Sequence, residues 1–259
     1  MKKYISIIGI LVIGAVLIYS CKKNSISVAP FDVANDQALF KLNYACPYKN
    51  IGAVQIKIDG IRVSNNITYN TPFPGGGLNT GGSSNADYMA LAPGEHTVSL
   101  SVAKAGTNED SIPLYSTNVS VESRTYYTLH VSDTSANTFS MLLTDLDSKP
   151  DSGISKFSFV NLIPGSAIDL YFGTTKVASN VGFKNATDTF SLAAGSGAQF
   201  FIRTAGSAPT STPLAMYPTT ANTGYIIPNQ RVYTAYARGY LGLISPDTRR
   251  AQLSFLFNK

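Results

Sequence analysis

The sequence predicts an all-β protein made of two β-sandwich domains in tandem. Short segments in which apolar and polar residues alternate recur along the chain, separated by clusters of Gly, Pro, Asn and Ser. One pattern of strands and turns occurs twice at a fixed spacing. The 259 residues are 44% hydrophobic and only 14% charged, a balance that excludes intrinsic disorder and supplies apolar material for packed cores.

The N-terminal segment has the layout of a secretory signal. Lys2 and Lys3 precede the apolar stretch 5–18, which is shorter than the roughly 20 residues that a membrane-spanning helix needs. The stretch closes with Ile18-Tyr-Ser-Cys21, which resembles the lipobox of bacterial lipoproteins. The resemblance implies cleavage before Cys21, attachment of a diacylglycerol to its sulfur and acylation of the new amino group. A plain signal peptide and an N-terminal anchor helix are the alternatives.

These features predict a lipoprotein of the outer membrane. Residues 1–20 are then the signal peptide, and 21–35 are the lipidated cysteine and a short tether. Attachment through two acyl chains is stable where a single chain is marginal. Lys22 stands where an aspartate favours retention at the inner membrane in Gram-negative lipoproteins, so the resemblance implies the outer membrane. The periplasmic and the extracellular face both stay open.

The charge of the mature chain argues against a nucleic-acid partner. Without residues 1–20, the chain has 18 Lys and Arg against 15 Asp and Glu, a net charge of +3. The basic residues form no cluster or long stripe in the sequence. Binding to nucleic acid requires such a basic surface, so we expect none.

Individual strands follow from the alternation of apolar and polar residues. Segments 54–58 (VQIKI) and 98–102 (VSLSV) alternate strictly, and 119–121 and 127–131 do the same. Short strands at this spacing are typical of a sandwich or a barrel.

The first of these strands opens an internal repeat. Residues 54–66, VQIKIDGIRVSNN, align without a gap to 168–180, IDLYFGTTKVASN, at an offset of 114 residues. The apolar residues keep the same side-chain face in both copies. Further marks recur in the same order: LAPG at 91–94 and LAAG at 192–195, Pro-Leu at 113–114 and 213–214, and Tyr-Thr at 127–128 and 233–234.

The repeat sets the domain boundaries. The polar segment 148–153, which carries Pro150 and Gly153, separates domain 1 over 36–147 from domain 2 over 154–259. Each copy has the usual size of an immunoglobulin-like sandwich of about seven strands. We therefore predict two tandem immunoglobulin-like β-sandwich domains after the signal peptide and tether.

The repeated marks resemble those of a known family. Asp59-Gly60 with the following Arg-Val, and Phe172-Gly173 with the following Lys-Val, precede the L-A-x-G, Pro-Leu and Tyr-Thr marks in each copy. This order is similar to that of the tandem domains of unknown function of the DUF4397 type, which occur in secreted and lipid-anchored bacterial proteins. The resemblance implies an immunoglobulin-like fold and brings no catalytic residue with it.

The two copies differ most in one glycine-rich loop. Between Asn66 and Leu91 the first copy spends 25 residues where the second spends 12, and the surplus is mostly TPFPGGGLNTGGSSN at 71–85. Its glycines lack the strand, helix and Lys-Ser/Thr of a phosphate-binding loop. A flexible surface loop is one interpretation. A ligand-binding flap whose aromatic residues stack on a sugar or peptide is the other, and its candidate ligand-binding residues are Tyr48, Tyr69, Phe73 and Tyr88.

The residues that carry chemistry do not form a reactive motif in the sequence. His96 and His130 lie on different predicted strands without metal-ligand spacing, so we expect no zinc site, and His130 is expected to face outward. Asp145 and the nearby acids at 147 and 151 indicate either a solvated linker or a calcium-stiffened hinge. Cys46 has no partner once Cys21 is lipidated, and we expect a semi-buried structural thiol.

Together these patterns predict a non-enzymatic cell-envelope lipoprotein that acts as a surface binding or spacer module. No catalytic residue, metal or cofactor is expected. The expected partners are the membrane, through the lipid anchor, and an envelope protein or a glycan. A carbohydrate-binding accessory lipoprotein of a polysaccharide-uptake system is the alternative, and its binding residues would be the four aromatic residues at 48, 69, 73 and 88.

Overall fold

The structure is a computed structural model that describes residues 36–48, 50–107, 109–220 and 223–259. These residues form 21 β-strands and no helix, which confirms the all-β prediction. They contain no helix long and apolar enough to cross a membrane. They all belong to one compact unit. The signal peptide, the lipidation site Cys21 and the tether lie outside the described residues and stay predictions.

The first half of the described chain contains ten strands, nine of which form two sheets. They are β1 (Ala38–Tyr44), β2 (Gln55–Ile58), β3 (Ile61–Arg62), β4 (Thr71–Phe73), β5 (Gly77–Leu78), β6 (Met89–Leu91), β7 (Gly94–Ala103), β8 (Asp110–Val121), β9 (Tyr126–Asp133) and β10 (Thr138–Thr144). One sheet has the order β10-β9-β1-β4, with β6 also pairing with β1, and the other has the order β3-β2-β7-β8. β1 and β9 run parallel.

The second half contains eleven strands with the same arrangement. They are β11 (Ile154–Asn161), β12 (Ile168–Phe172), β13 (Thr175–Val181), β14 (Asn185–Ala186), β15 (Phe190–Ala193), β16 (Gly197–Ala198), β17 (Phe200–Thr204), β18 (Ala215–Tyr217), β19 (Tyr225–Ile226), β20 (Val232–Arg238) and β21 (Gln252–Phe257). One sheet has the order β14-β11-β20-β21, with β15 also pairing with β11, and the other β13-β12-β17-β18. A short ladder joins β16 and β19.

The sequence repeat is therefore a repeat of topology. β11 and β20 run parallel, as β1 and β9 do. The Tyr-Thr mark occupies the same place in both copies, since Tyr127 lies opposite Phe40 and Tyr233 lies opposite Phe157. This pairing confirms two β-sandwich halves. Their immunoglobulin-like assignment and the domain boundaries stay predictions.

Each half has its own core between its two sheets. In the first half, alternate residues of β1, β2, β7 and β9 are buried together, for example Phe40, Ile56 and Leu100. In the second half the equivalent strands bury Phe157, Leu170 and other residues in a core rich in aromatic rings. Burying such a side chain contributes about 1.5–3 kcal/mol, so these two cores hold the sandwiches together.

A third apolar cluster joins the two halves. Its buried members come from both: Ala45 and Phe139 from the first half, and Val160, Leu162, Tyr236 and Leu256 from the second. They lie on the faces of the β1 and β11 sheets that point away from the two sandwich cores. The outer faces of these sheets therefore pack against each other and form a junction between the halves.

Candidate functional site

The junction between the halves also buries a set of polar side chains. They occupy the alternate strand positions that point away from the sandwich cores, while the positions between them fill those cores. Burial of polar groups is tolerated only when they are hydrogen-bonded or paired. The buried polar residues are Lys41, Asn43, Thr128, His130 and Asp145 from the first half, and Thr234, Arg238, Ser254 and Asn258 from the second.

Lys41 extends from β1 into the second half. Its side chain is fully buried, and Nζ donates to the carbonyl oxygen of Phe257 at 2.5 Å. The ammonium also lies 4.0 Å from the centroid of the Tyr88 ring, within reach of a cation–π interaction. Burial lowers the pKa of Lys41 to about 8, although the negative charge of Asp145 opposes this shift. Lys41 therefore ties β1 to β21 through a desolvated cation.

Asp145 is the anion of the same cluster. Its Oδ2 accepts hydrogen bonds from Thr128 at 2.5 Å and from the Tyr88 hydroxyl at 2.9 Å, and its Oδ1 accepts from Asn258 Nδ2 at 3.1 Å. Burial raises the pKa of this carboxyl, while the Thr128 hydrogen bond and the charge of Lys41 oppose the shift. The carboxylate thus connects residues from both halves.

This burial corrects the expectation of a solvated acidic linker at Asp145. Asp145 is 8% exposed, whereas Asp147 and Asp151 are exposed. The three carboxylates therefore do not share one environment. No group of three His, Cys, Asp or Glu side chains among the described residues could hold a metal ion.

His130 is buried, contrary to the expectation that it faces solvent. It does point away from the core of its own sandwich, but the second half covers it. Asn43 Nδ2 donates to His130 Nδ1 at 3.0 Å, so that nitrogen carries no proton. Burial, aided by the positive charge of Lys41, lowers the pKa of His130 to about 3. The imidazole is therefore neutral in the folded protein.

The other histidine lies in a different environment. His96 Nδ1 lies 2.6 Å from Asp59 Oδ2, and Nε2 lies 2.7 Å from the carbonyl oxygen of Ala92. The hydrogen bond to Asp59 raises the pKa of His96. This pair closes the turn between β2 and β3 against β7, so it serves the local fold of the first half.

The glycine-rich loop contributes a strand to a sheet of the second half. Its strand β5 pairs with β21 and extends the sheet β14-β11-β20-β21 by one strand. Next to this ladder, the amide of Phe257 donates to the Gly76 carbonyl at 3.0 Å, and Asn79 Nδ2 donates to the Leu253 carbonyl at 2.8 Å. We refer to residues 76–79 as the clasp, because they belong to the first half and bind the last strand of the second.

Two glycines of the clasp lie against other backbone atoms. A Cβ atom at Gly77 would lie 1.7 Å from the carbonyl oxygen of Phe255, and one at Gly76 would lie 1.5 Å from that of Ser83. Both neighbouring atoms belong to the backbone and cannot move aside easily. Gly77 therefore permits the contact between the halves, and Gly76 permits the close packing of the loop on itself.

Two of the four predicted ligand-binding aromatic residues contact polar groups of the junction. The guanidinium carbon of Arg238 lies 4.9 Å from the centroid of the Tyr69 ring. Tyr88 stacks edge-on against Tyr126 at 5.0 Å, in addition to its contacts with Lys41 and Asp145. Both rings are only partly exposed.

The other two pack on the core of the first sandwich. Phe73 lies opposite Leu42 in the ladder between β1 and β4. Tyr48 also packs on that core, and its hydroxyl lies 2.5 Å from Thr138 Oγ1. No two of the four rings contact each other. The structure therefore does not assemble them into one stacking platform.

Cys46 belongs to the core of the first sandwich. It is fully buried, which is deeper than the expected semi-buried position. Burial raises the pKa of its thiol well above the usual range. A protonated thiol without access to solvent is a poor nucleophile, so the structural interpretation fits its surroundings.

Comparison with family models gives one match. Residues 47–166 match the model of a family described as "Domain of unknown function (DUF4397)". No curated protein matches. Among solved structures, a crystal structure described as "a putative cell adhesion protein from Bacteroides uniformis" matches at 6% identity, over 86% of this chain and 99% of that one, with a TM-score of 0.20. A likeness at this TM-score supports no inference about fold or function. Residues 47–166, a little under half of the chain, are thus similar to a family of domains whose function is unknown.

Proposed function

We propose that the protein is a non-enzymatic lipoprotein of the outer membrane whose two joined sandwiches act as a surface binding or spacer module. Cys21 carries the lipid, and residues 22–35 hold the folded part away from the bilayer. The partner at the far end is an envelope protein or a glycan. This proposal extends the family assignment, which names no activity.

The observation that carries the proposal is the contact between the halves. The clasp adds a strand of the first half to the sheet of the second, and the junction buries apolar and polar side chains from both. Domains joined by a large buried contact move little relative to each other. A stiff unit of two sandwiches is suited to hold a binding surface at a fixed distance from a membrane.

The perturbed titratable groups support a structural role. Lys41 and His130 have lowered pKa values, and both are fully buried against other residues of the chain. Perturbed pKa values occur both at catalytic sites and in structural networks. A catalytic site must be accessible to a substrate, whereas a structural network need not be. Burial in the junction favours the structural network here.

Replacement of Cys21 tests the anchor. Cys21→Ser should move the protein from the membrane fraction to the soluble fraction and abolish incorporation of labelled fatty acid, because the acceptor sulfur is lost. Cys46→Ala is the matched control, since Cys46 is buried in the first half and should not accept a lipid. Labelled acyl chain retained by Cys21→Ser would contradict the proposal.

Crosslinking in intact envelopes, together with a glycan array, tests the binding role. The full chain should yield a crosslinked envelope protein or a bound glycan. The purified chain should leave panels of glycan and peptide substrates unchanged. If neither method finds a partner and the purified chain turns over a sugar or peptide, the non-enzymatic proposal is wrong.

A further inference from the structure

A groove opens at the junction beside the buried carboxylate. It has a volume of about 260 Å³ and is lined by residues of both halves. Its floor contains the buried residues Asp145, Thr234 and Asn258, and its rim contains the exposed residues Thr144 and Thr189. We refer to this site as the junction groove. None of the four aromatic residues predicted from the sequence lines it.

The floor of the junction groove presents an unpaired acceptor. Asn258 uses Nδ2 to donate to Asp145 Oδ1 at 3.1 Å and to Thr234 Oγ1 at 2.7 Å. Its Oδ1 is buried and has no hydrogen-bond partner among the described residues, while the side chain as a whole is 4% exposed. A buried acceptor without a partner costs about 1–3 kcal/mol. Asn258 lines the groove, so a ligand bound there is placed to supply the missing donor.

The other polar groups of the groove select the same kind of ligand. Asp145 accepts only one hydrogen bond at Oδ1, so this oxygen can accept a second. Hydroxyl groups of Thr144, Thr187 and Thr189 line the walls. No Lys, Arg or His lies among the lining residues, and Asp188 adds a second carboxylate, which disfavours an anionic ligand.

A metal cation fits this groove less well than a neutral donor. Lys41 interacts with Asp145 from inside the junction and offsets its charge. The described residues hold no cluster of three potential metal-binding His, Cys, Asp or Glu side chains. The volume falls just below the range of about 300–1,000 Å³ typical of sites for drug-sized ligands, so the ligand is small.

We propose that the junction groove binds a polyhydroxyl ligand, namely a single neutral sugar ring, whose hydroxyl groups donate to Asn258 Oδ1 and Asp145 Oδ1. Apolar residues of the wall, Leu143, Leu146 and Val232, offer contact to the C–H groups of the ring. The inference rests on the proposed binding role and deepens it by naming the ligand class and the site.

Saturation-transfer NMR with the full chain tests the site. The chain is held in a detergent without a sugar headgroup, and glucose, galactose, mannose and N-acetylglucosamine are added one at a time. Thr189→Trp should fill the groove from its exposed rim without touching the buried network. Thr210→Trp is the matched control, because Thr210 is exposed and does not line the groove.

At least one sugar should bind to the wild-type chain and to Thr210→Trp, and Thr189→Trp should weaken that binding at least tenfold at an unchanged unfolding midpoint. If Thr189→Trp unfolds, Thr144→Trp, at another exposed position of the rim, replaces it. The inference would be overturned if no sugar bound or if Thr189→Trp bound the sugar as tightly as the wild type. It would also be overturned if the NMR spectra responded to added Ca²⁺ and to no sugar. The crosslinking experiment tests binding to an envelope partner independently of the groove. Failure of the sugar site can therefore be distinguished from failure of the proposed binding role.

Discussion

His130 lies between the two halves with both ring nitrogens buried. Asn43 donates to Nδ1, and the ring packs edge-on against Tyr236 with 5.9 Å between centroids. A protonated imidazole would need an acceptor at this position, but Nδ1 already faces an amide donor. The fold therefore holds His130 in its neutral form.

We expect acid to destabilise the protein through His130. The pKa of His130 is about 3 in the folded protein, whereas the ordinary value of 6.5 applies to the unfolded chain. As the pH falls, the unfolded chain therefore binds the proton first. This site should therefore lower the free energy of unfolding by up to about 1.4 kcal/mol per pH unit between these two values. Urea unfolding at pH 7, 6 and 5 should show a larger loss for the wild type than for His130→Gln.

His96→Gln is the matched control for this measurement. Because Asp59 raises the pKa of His96, that site stabilises the fold below its ordinary pKa of 6.5 and loses this contribution as the pH rises through the raised value. Removing it should not reduce the loss of stability in acid. Equal acid sensitivity of the wild type and His130→Gln would contradict the role of His130.

At this scale, sequence alternation predicts which way a side chain points but not what covers it. The alternation around His130 correctly places it on the outer face of its sandwich. That face contacts the second half rather than water, so the residue is buried. The segment 159–163 (FVNLI) of the second half does indicate a covered outer face. Its apolar residues point to both faces of the strand and its continuation, a pattern typical of strands that are buried on both sides.

Strand β5 is the element on which the contact between the halves depends. It contains only two residues, yet it pairs with a strand of the other half. Ser254 Oγ also donates to the Asn79 carbonyl at 2.8 Å, and Tyr236 donates to Asn70 Oδ1 at 2.7 Å just before the loop. The clasp is thus held by backbone and side-chain hydrogen bonds together.

We expect Gly77→Ala to open the clasp. The added Cβ would lie 1.7 Å from the Phe255 carbonyl oxygen, so β5 must move away from β21. Overpacking of this kind destabilises by roughly 1–3 kcal/mol. The amide of Phe257, which donates to Gly76, should then exchange its hydrogen faster in NMR measurements.

Gly52→Ala is the control, because nothing lies within 4 Å of a Cβ atom at Gly52. It should leave both the free energy of unfolding and the exchange at Phe257 unchanged. If Gly77→Ala behaves like Gly52→Ala in both measurements, the clasp does not contribute to the fold.

Strands with a regular alternation could be predicted from the sequence, and β5 could not. The alternating segments at 54–58, 98–102 and 127–131 fall on β2, β7 and β9 with small differences at their ends. β5 lies within a run of glycines and has no alternation of its own. Its partner lies in the other copy of the repeat, so the local pattern holds no information about the pairing.

The four larger sheets of the described residues are stacked in layers. The two sandwich cores fill the outer spaces between sheets, and the junction fills the central one. The central layer mixes apolar residues with hydrogen-bonded polar groups, including the buried side chains of Lys41 and Asp145. Each half therefore depends on the other to cover one face of a sheet.

We expect the two halves to unfold together. Separation would expose the third cluster and leave Lys41, Asp145 and Asn258 without their partners, so a half-folded state should be poorly populated. Calorimetry of the full chain should give one transition whose calorimetric and van't Hoff enthalpies agree. Gly52→Ala should keep this behaviour, and two resolved transitions in the wild type would contradict it.

The internal repeat predicts two sandwiches of the same design, and the structure has them. How the sandwiches contact each other could not be read from the repeat, because the contact is asymmetric. It uses the loop present in one copy only, and it places the polar outer face of the first copy against the more apolar outer face of the second.

The reach of β5 into the other half also has a consequence for how the protein is made. The first half leaves the ribosome before β21 exists, and N-terminal units generally fold first during synthesis. Until β21 arrives, the backbone groups of Gly77 and Leu78 lack the strand that they pair with in the finished molecule. At high local concentration, the late strand of a neighbouring chain can take that place, so overexpression should favour dimers in which two molecules exchange their second halves.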